Sequence, residues 1–173
     1  MNGDDGFEGA AELGGYFVAH AVWCIESGAV LDPLVGHERV IPTDGERAFA
    51  RLRFEALEQH EALRNAEQWL VENGDDLARA VLVHGGFFTW RGVRRDALFA
   101  RMVDFRRPRR SLEIVIPYRH PRDEGGFAIH RPKLVRSVNL PEKLAPILEA
   151  LYRGIHAHDE GGKSWSRHLD QSV

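Results

Sequence analysis

From Ala80 to Val135 apolar residues fall into four short runs, separated by connections too short for a chain to cross over a sheet. Parallel neighbours need a connection of about a dozen residues or more. The runs are therefore expected to pair antiparallel in sequence order, as a four-stranded meander. In the first, Ala80 to Trp90, the pair Gly85 and Gly86 predicts a bulge or a close approach by a neighbouring group. Arg91 and Gly92 supply the turn into the second run, Val93 to Phe105, where Leu98, Ala100 and Met102 share one face. Pro108 marks the next turn, and Leu112, Ile114, Ile116 and Tyr118 give the third run an apolar side. Pro117 predicts that this strand ends there or has an unpaired edge, and Pro132 interrupts the fourth run, Phe127 to Val135.

Before Leu77 the apolar period is helical. Leu13, Phe17, His20 and Cys24 recur at spacings of three and four, predicting a helix from Ala10 to Ser27 that ends at Gly28. Ala29 to Pro42 reads as a loop with room for a short extended segment. Thr43 with Glu46 forms a capping-box pattern, and Phe49, Leu52, Ala56, Leu63, Ala66 and Leu70 follow at helical spacing, so a long second helix is expected up to Asn73 and Gly74. Asn139 with Glu142 opens a last helix, with Leu144, Ile147, Leu148, Leu151 and Ile155 as its buried stripe and Pro146 as a kink. The expected fold is thus α+β: two N-terminal helices, an antiparallel four-stranded meander, and a C-terminal helix packed on one face of the sheet. Residues 1–9 read as a flexible tail, 10–158 as a single domain, and 159–173 as a polar tail, disordered or docked through Trp165 and Leu169.

Charge is distributed unevenly along the chain. Residues 1–78 carry 5 Arg and Lys against 16 Asp and Glu, residues 79–136 carry 14 against 5, and residues 137–173 carry 4 against 5. An acidic part followed by a basic part is a pattern of partner-binding surfaces, unless the two parts pack together and neutralise each other. No apolar run approaches the roughly 20 residues that cross a bilayer, and the acidic N-terminus does not resemble a signal peptide. No membrane association is expected. The single cysteine, Cys24, excludes an internal disulfide and fits a reducing compartment, so a cytoplasmic location is expected.

Chemical motifs are sparse. The glycine doublets match neither the Walker nor the dinucleotide pattern, and no Gly-x-Ser-x-Gly elbow or pair of metzincin-type histidines occurs. His156, His158 and Asp159 are metal-ligating residue types, but residues two apart do not share a helix face, and no further ligands stand nearby. Cys24 and His20 fall on an apolar stripe, which predicts an inert buried thiol and a hydrogen-bonded core histidine. No catalytic residue, metal or cofactor is assigned.

The strongest positive signal is the run of arginines with interleaved aromatics from Trp90 to Arg122. It supports a non-catalytic binding protein that presents Trp90, Arg91, Arg94, Arg101, Arg119 and Arg122 to a protein partner, by analogy with small bacterial immunity or adaptor proteins. A second expectation is an enzyme or small-ligand binder with a pocket between sheet and helices, using His84, His120 or His130 as a base and Arg101, Arg119 or Arg131 to hold an anion. A third is single-stranded nucleic acid binding by the basic meander, against which the pI near 6.3 argues.

Overall fold

The computed structural model describes residues 6–40 and 49–170. Its elements are α1 (Glu8–Glu26), β1 (Leu34–Arg39), β2 (Phe49–Arg53), α2 (Gln59–Asn73), β3 (Leu77–Trp90), β4 (Val93–Asp104), β5 (Arg110–Arg119), β6 (Ala128–Ile129), β7 (Lys133–Val138), α3 (Ala145–Ala157) and α4 (Asp159–His168). The strands form one antiparallel seven-stranded sheet of order β2-β1-β3-β4-β5-β6, with β7 also pairing with β5. The protein is therefore α+β as expected, with a larger sheet than the expected meander. β3, β4 and β5 follow one another as hairpins, and the fourth run is split at Pro132 into β6 and β7, both on β5.

The main correction lies before Leu77. The expected second helix does not extend back through Phe49: residues 49–53 are β2, and α2 begins at Gln59. The segment Phe49-Ala50-Arg51-Leu52-Arg53 also alternates, and pairing with β1 satisfies its backbone in a way that an isolated helical turn would not. Thr43 and Glu46 lie outside the described residues. Strand β1 takes up the short extended segment expected within the 29–42 loop, with Gly36 beneath the Phe17 ring; a Cβ there would overlap that ring.

Helix α1 is buried on nearly all sides, as a helix apolar around its whole circumference must be. Leu13, Phe17, Val18 and Val22 meet Val81, Val83, Leu98, Ala100, Met102, Leu112 and Ile114 in the main core. On its far side α1 is crossed by α3 and α4, so α3 packs on α1 rather than on the sheet. Small residues allow this: a Cβ on Gly15 would overlap the Leu151 carbonyl oxygen, one on Gly154 the Glu12 carbonyl oxygen, and one on Gly161 the Ala19 carbonyl oxygen. Pro146 sits in the first turn of α3, where its missing N–H costs nothing, and does not kink it. Trp165 on α4 is 2% exposed, and Leu169 packs against the same core. Residues 1–5 of the expected N-terminal tail and 171–173 of the C-terminal one lie outside the described residues; Phe7 is buried.

Helix α2 covers the other face of the sheet through Ala66 and Leu70, on Val35, Leu77, Ala80 and Leu82. Each of the two expected irregularities in the strands is found in one of its two expected forms. Register runs unbroken through Gly85↔Leu98 and Gly86↔Ala97, so there is no bulge, and Gly86 admits the expected close approach: a Cβ there would lie 3.0 Å from Phe99. β5 does not end at Pro117, which pairs with Ala97, but on its other side Pro117 falls between the ladder to β7, which stops at Val115, and the ladder to β6, which starts at Tyr118, and only its carbonyl is used there, accepting the His130 N–H (2.9 Å).

Candidate functional site

Strand β3 is longer than the neighbour on its outer side. β1 pairs with it only from Leu77 to Val83, because the last β1 residue in register is Leu34, opposite Val83. Beyond that point residues 84–90 pair with β4 on one side, and no described residue supplies a backbone partner on the other. An unpaired edge is a row of N–H and C=O groups able to accept another strand. Phe87 on this edge is 61% exposed.

The hairpin that carries the edge is set by its turn. Arg91 (φ 50°) and Gly92 (φ 78°) both take left-handed conformations, which suits a two-residue turn between twisted strands. The resulting register puts Phe87 opposite Asp96, Phe88 opposite Arg95 and Thr89 opposite Arg94. The Arg94 guanidinium lies 4.0 Å from the Phe87 ring centroid on one face. On the other, Trp90 stacks near Phe88 at 6.2 Å and takes Lys133 at 4.3 Å, with Arg91 at 5.7 Å. The tip is thus cationic and aromatic on both faces, and these cations are held over rings rather than by carboxylates.

A cleft of about 620 Å³ opens beside the edge. Ile25, Val30, Leu31 and Leu63 make its apolar wall, and His84, Asp96, His120 and Arg122 bring polar groups to it. Its position follows from β1 starting only at Leu34, which leaves the 28–33 segment to pass beside β3 without pairing, tied to α2 where Gln59 Nε2 donates to the Leu31 carbonyl (3.1 Å). His84 lies stacked on Phe99 (5.2 Å, 6°), and its Nδ1–H donates to the Gly85 carbonyl (3.0 Å), leaving Nε2 as an acceptor. His120 Nδ1 accepts the Arg122 backbone N–H (3.1 Å), so its Nε2 carries the proton in the neutral ring. Tyr118 is pushed up to about 12 by burial and by Asp96, so it remains a neutral phenol at any ordinary pH.

Of the residues singled out from sequence, Trp90, Arg91 and Arg94 come together at the hairpin tip, and His84, His120 and Arg122 at the cleft. The others stand apart. Arg101 reaches α2 and pairs with Glu67 (3.1 Å), and Arg119 is held by the carbonyls of Gly126 (2.6 Å) and Gly125 (3.0 Å). His130 is 1% exposed with both ring nitrogens unpartnered, and neither it nor Arg131 lines the cleft. Phe87, Leu31 and Leu63 were not singled out. Counting register outward from the Arg91-Gly92 turn would have found the Phe87 and Arg94 pairing, but nothing local marks where β1 stops.

Burial lowers the pKa of His37, His84, His130 and His158, and that of His20 to about 4, with burial the leading cause in each. Below the reference value of 6.5 the unfolded chain takes up protons that the folded chain refuses, so this stability is complete above that pH and is lost as pH falls through it. Urea denaturation at pH 5 is expected to give a stability lower than at pH 7.5 by about 2 kcal/mol or more in total. His130→Leu, which removes two unpartnered buried nitrogens, is expected to flatten part of that slope; an unchanged slope in the variant would exclude His130 as a contributor.

Comparison with family models, with curated proteins and with solved structures finds no match to this chain.

Proposed function

We propose that the protein is a non-catalytic, adaptor-type binding protein that takes an extended acidic segment of a partner protein as an added strand along residues 84–90 of β3. The observation that carries this reading is the one-sided pairing of those seven residues beside the cleft. In strand addition the main chain supplies affinity, and pockets for alternate side chains supply specificity. Side chains of the incoming segment would alternate between faces, acidic ones on the Phe87 face near Arg94 and Arg122 and apolar ones on the opposite face toward Leu63. An exposed edge with a large apolar residue is otherwise an aggregation hazard, which a regular occupant removes.

The test uses two labelled eight-residue peptides, one alternating Val with Glu and one alternating Val with Lys. The acidic peptide is expected to bind, more weakly as salt rises, and to slow amide hydrogen exchange within 84–90. Phe87→Asp and Arg94→Glu are each expected to weaken binding more than tenfold, by like charge at the edge. Equal binding of both peptides, or protection elsewhere on the sheet, would refute the reading.

One observation favours a second reading. The cleft presents an acceptor, His84 Nε2, and a donor, His120 Nε2–H, together with Arg122, a set suited to a small anionic ligand. Such a ligand would perturb residues of the cleft and leave amide exchange at Thr89 and Trp90 unchanged.

A further inference from the structure

Away from the β3 edge, where α1 meets β2 and the start of α4, two hydrogen bonds fix the direction of a short chain of imidazoles. His158 is the N-cap of α4, and its Nδ1 accepts the Gly161 backbone N–H at 2.9 Å. A backbone N–H can only donate, so His158 Nδ1 is unprotonated and Nε2 carries the ring proton. That Nε2 lies 3.1 Å from His20 Nδ1 and donates to it. His20 Nδ1 is therefore an acceptor, and the proton of His20 sits on Nε2.

His20 Nε2–H then faces another donor. Arg51 Nη1 is 2.9 Å away, and a guanidinium has no acceptor. Among the described residues the other polar atom near Nε2 is Cys24 Sγ at 3.7 Å, a weak acceptor as a thiol. No tautomer relieves this contact while the α4 cap holds: a proton moved to His20 Nδ1 would collide with His158 Nε2–H. Among the described residues Arg51 has no carboxylate partner, and it stands exposed on β2, able to swing outward. Trp23, 40% exposed, and Tyr16 lie alongside the imidazoles, with ring centroids 5.8 Å (Trp23 to His20) and 4.9 Å (Tyr16 to His158) apart.

We propose that Arg51 and His20 Nε2–H form a binding site for a small oxyanion, a phosphate or carboxylate group, with the α4 cap acting through His158 to aim the His20 proton at it. One acceptor oxygen between the two donors replaces their repulsion with two charge-assisted or polarised hydrogen bonds. The same two hydrogen bonds exclude a base role for His20 toward the thiol, since its Nε2 lone pair is taken by the proton. The positions of His158 and Cys24 also exclude a metal held jointly by Cys24, His20 and His158, because sulfur and imidazole approach opposite nitrogens of the His20 ring.

Because the chain has a single cysteine, alkylation of Cys24 by iodoacetamide reads occupancy of the adjacent site directly. At fixed ionic strength, inorganic phosphate and acetate are tested separately, with chloride as the reference. At least one oxyanion is expected to slow alkylation of the folded protein several-fold and saturably, and the arm that does so identifies the phosphate or the carboxylate class. The slowing is expected to vanish in Arg51→Gln. It is expected to weaken in His158→Asn, which keeps an N-cap acceptor for Gly161 but has no ring proton for His20. Alkylation indifferent to both anions overturns the proposal, as does equal protection of Arg51→Gln. A thiol that titrates below neutral pH overturns it too, since a thiolate would itself be the missing acceptor.

Discussion

Replacing Gly154 with valine is expected to lower stability by about 4 kcal/mol or more, a large fraction of the roughly 5–15 kcal/mol that keeps a single domain folded. The reason is the closeness of two backbones. A Cβ at Gly154 would overlap the Glu12 carbonyl oxygen and stand 2.9 Å from the Tyr16 nitrogen, and a Cβ at Gly15 would overlap the Leu151 carbonyl oxygen and stand 2.8 Å from the Ile155 nitrogen. The two glycines face each other across the α1–α3 crossing, so an added side chain can be fitted only by driving the helices apart. That would open contacts made by Leu151 and Ile155, both 0% exposed. Gly14 is a graded comparison, because a Cβ there meets the thioether end of Met102, a flexible side chain that can move. Gly85 is the control, with nothing nearer than Gln59 Nε2 at 3.8 Å. Urea denaturation should rank the alanine variants Gly15 and Gly154 as most costly, Gly14 as intermediate and Gly85 as least. If Gly154→Ala were as mild as Gly85→Ala, the close crossing would not be a feature of the folded chain.

These glycines also explain which parts of the fold were legible in sequence. β4 and the hairpin turns could be read because period two, glycine and proline act locally: Leu98, Ala100 and Met102 do face the core, and Arg91 and Gly92 do form the turn. β1 could be read only as a short extended segment within a loop, and β2 not at all, because neither is stable without a neighbour distant in sequence. Phe49, Leu52 and Ala56 satisfy a helical spacing as well as Phe49, Arg51 and Arg53 satisfy a strand, and the pairing with β1 decides between them. α1 showed a one-sided stripe in sequence, yet its glycines and alanines let a second helical layer cover the other side, and His20 and Cys24 fall at the half-exposed margin of that packing.

The candidate sites were legible to a lesser degree, for a similar reason. Trp90, Arg91 and Arg94 are near one another in sequence and stay so in space. The open edge of β3 depends on where β1 ends, and the imidazole chain joins His20 to His158 across 138 residues, so no spacing rule could have connected either. The basic segment also proved less available than its charge suggested, since several of its arginines are used inside the fold.

Asp104 is the clearest case, and Asp104→Asn is expected to cost about 3 to 5 kcal/mol. This carboxylate is 1% exposed and closes the turn around Pro108. Its Oδ1 accepts the Arg106 backbone N–H and Nε–H, both at 3.0 Å, and its Oδ2 accepts Arg106 Nη2 and Arg110 Nη2, both at 2.7 Å. The same two guanidinium groups donate onward to the Gly6 carbonyl at 3.0 and 2.9 Å, tying the start of the chain to the β4–β5 turn. Burial alone would push the Asp104 carboxyl up, but the hydrogen bonds and charge of Arg106 and Arg110 outweigh it and hold the carboxyl below its ordinary value. Asparagine keeps the shape but exchanges two accepting oxygens for one, and points N–H groups at a guanidinium, leaving the largely buried Arg110 and the half-exposed Arg106 without their carboxylate. Because the native carboxyl is depressed, its contribution is complete above its unfolded pKa and is lost as pH falls through the folded value, so the gap between wild type and Asp104→Asn should close toward low pH. A variant within 1 kcal/mol of wild type at neutral pH would show that the arginines of this turn find equal partners in water. They would then be as available to a binding partner as those of the β3–β4 hairpin.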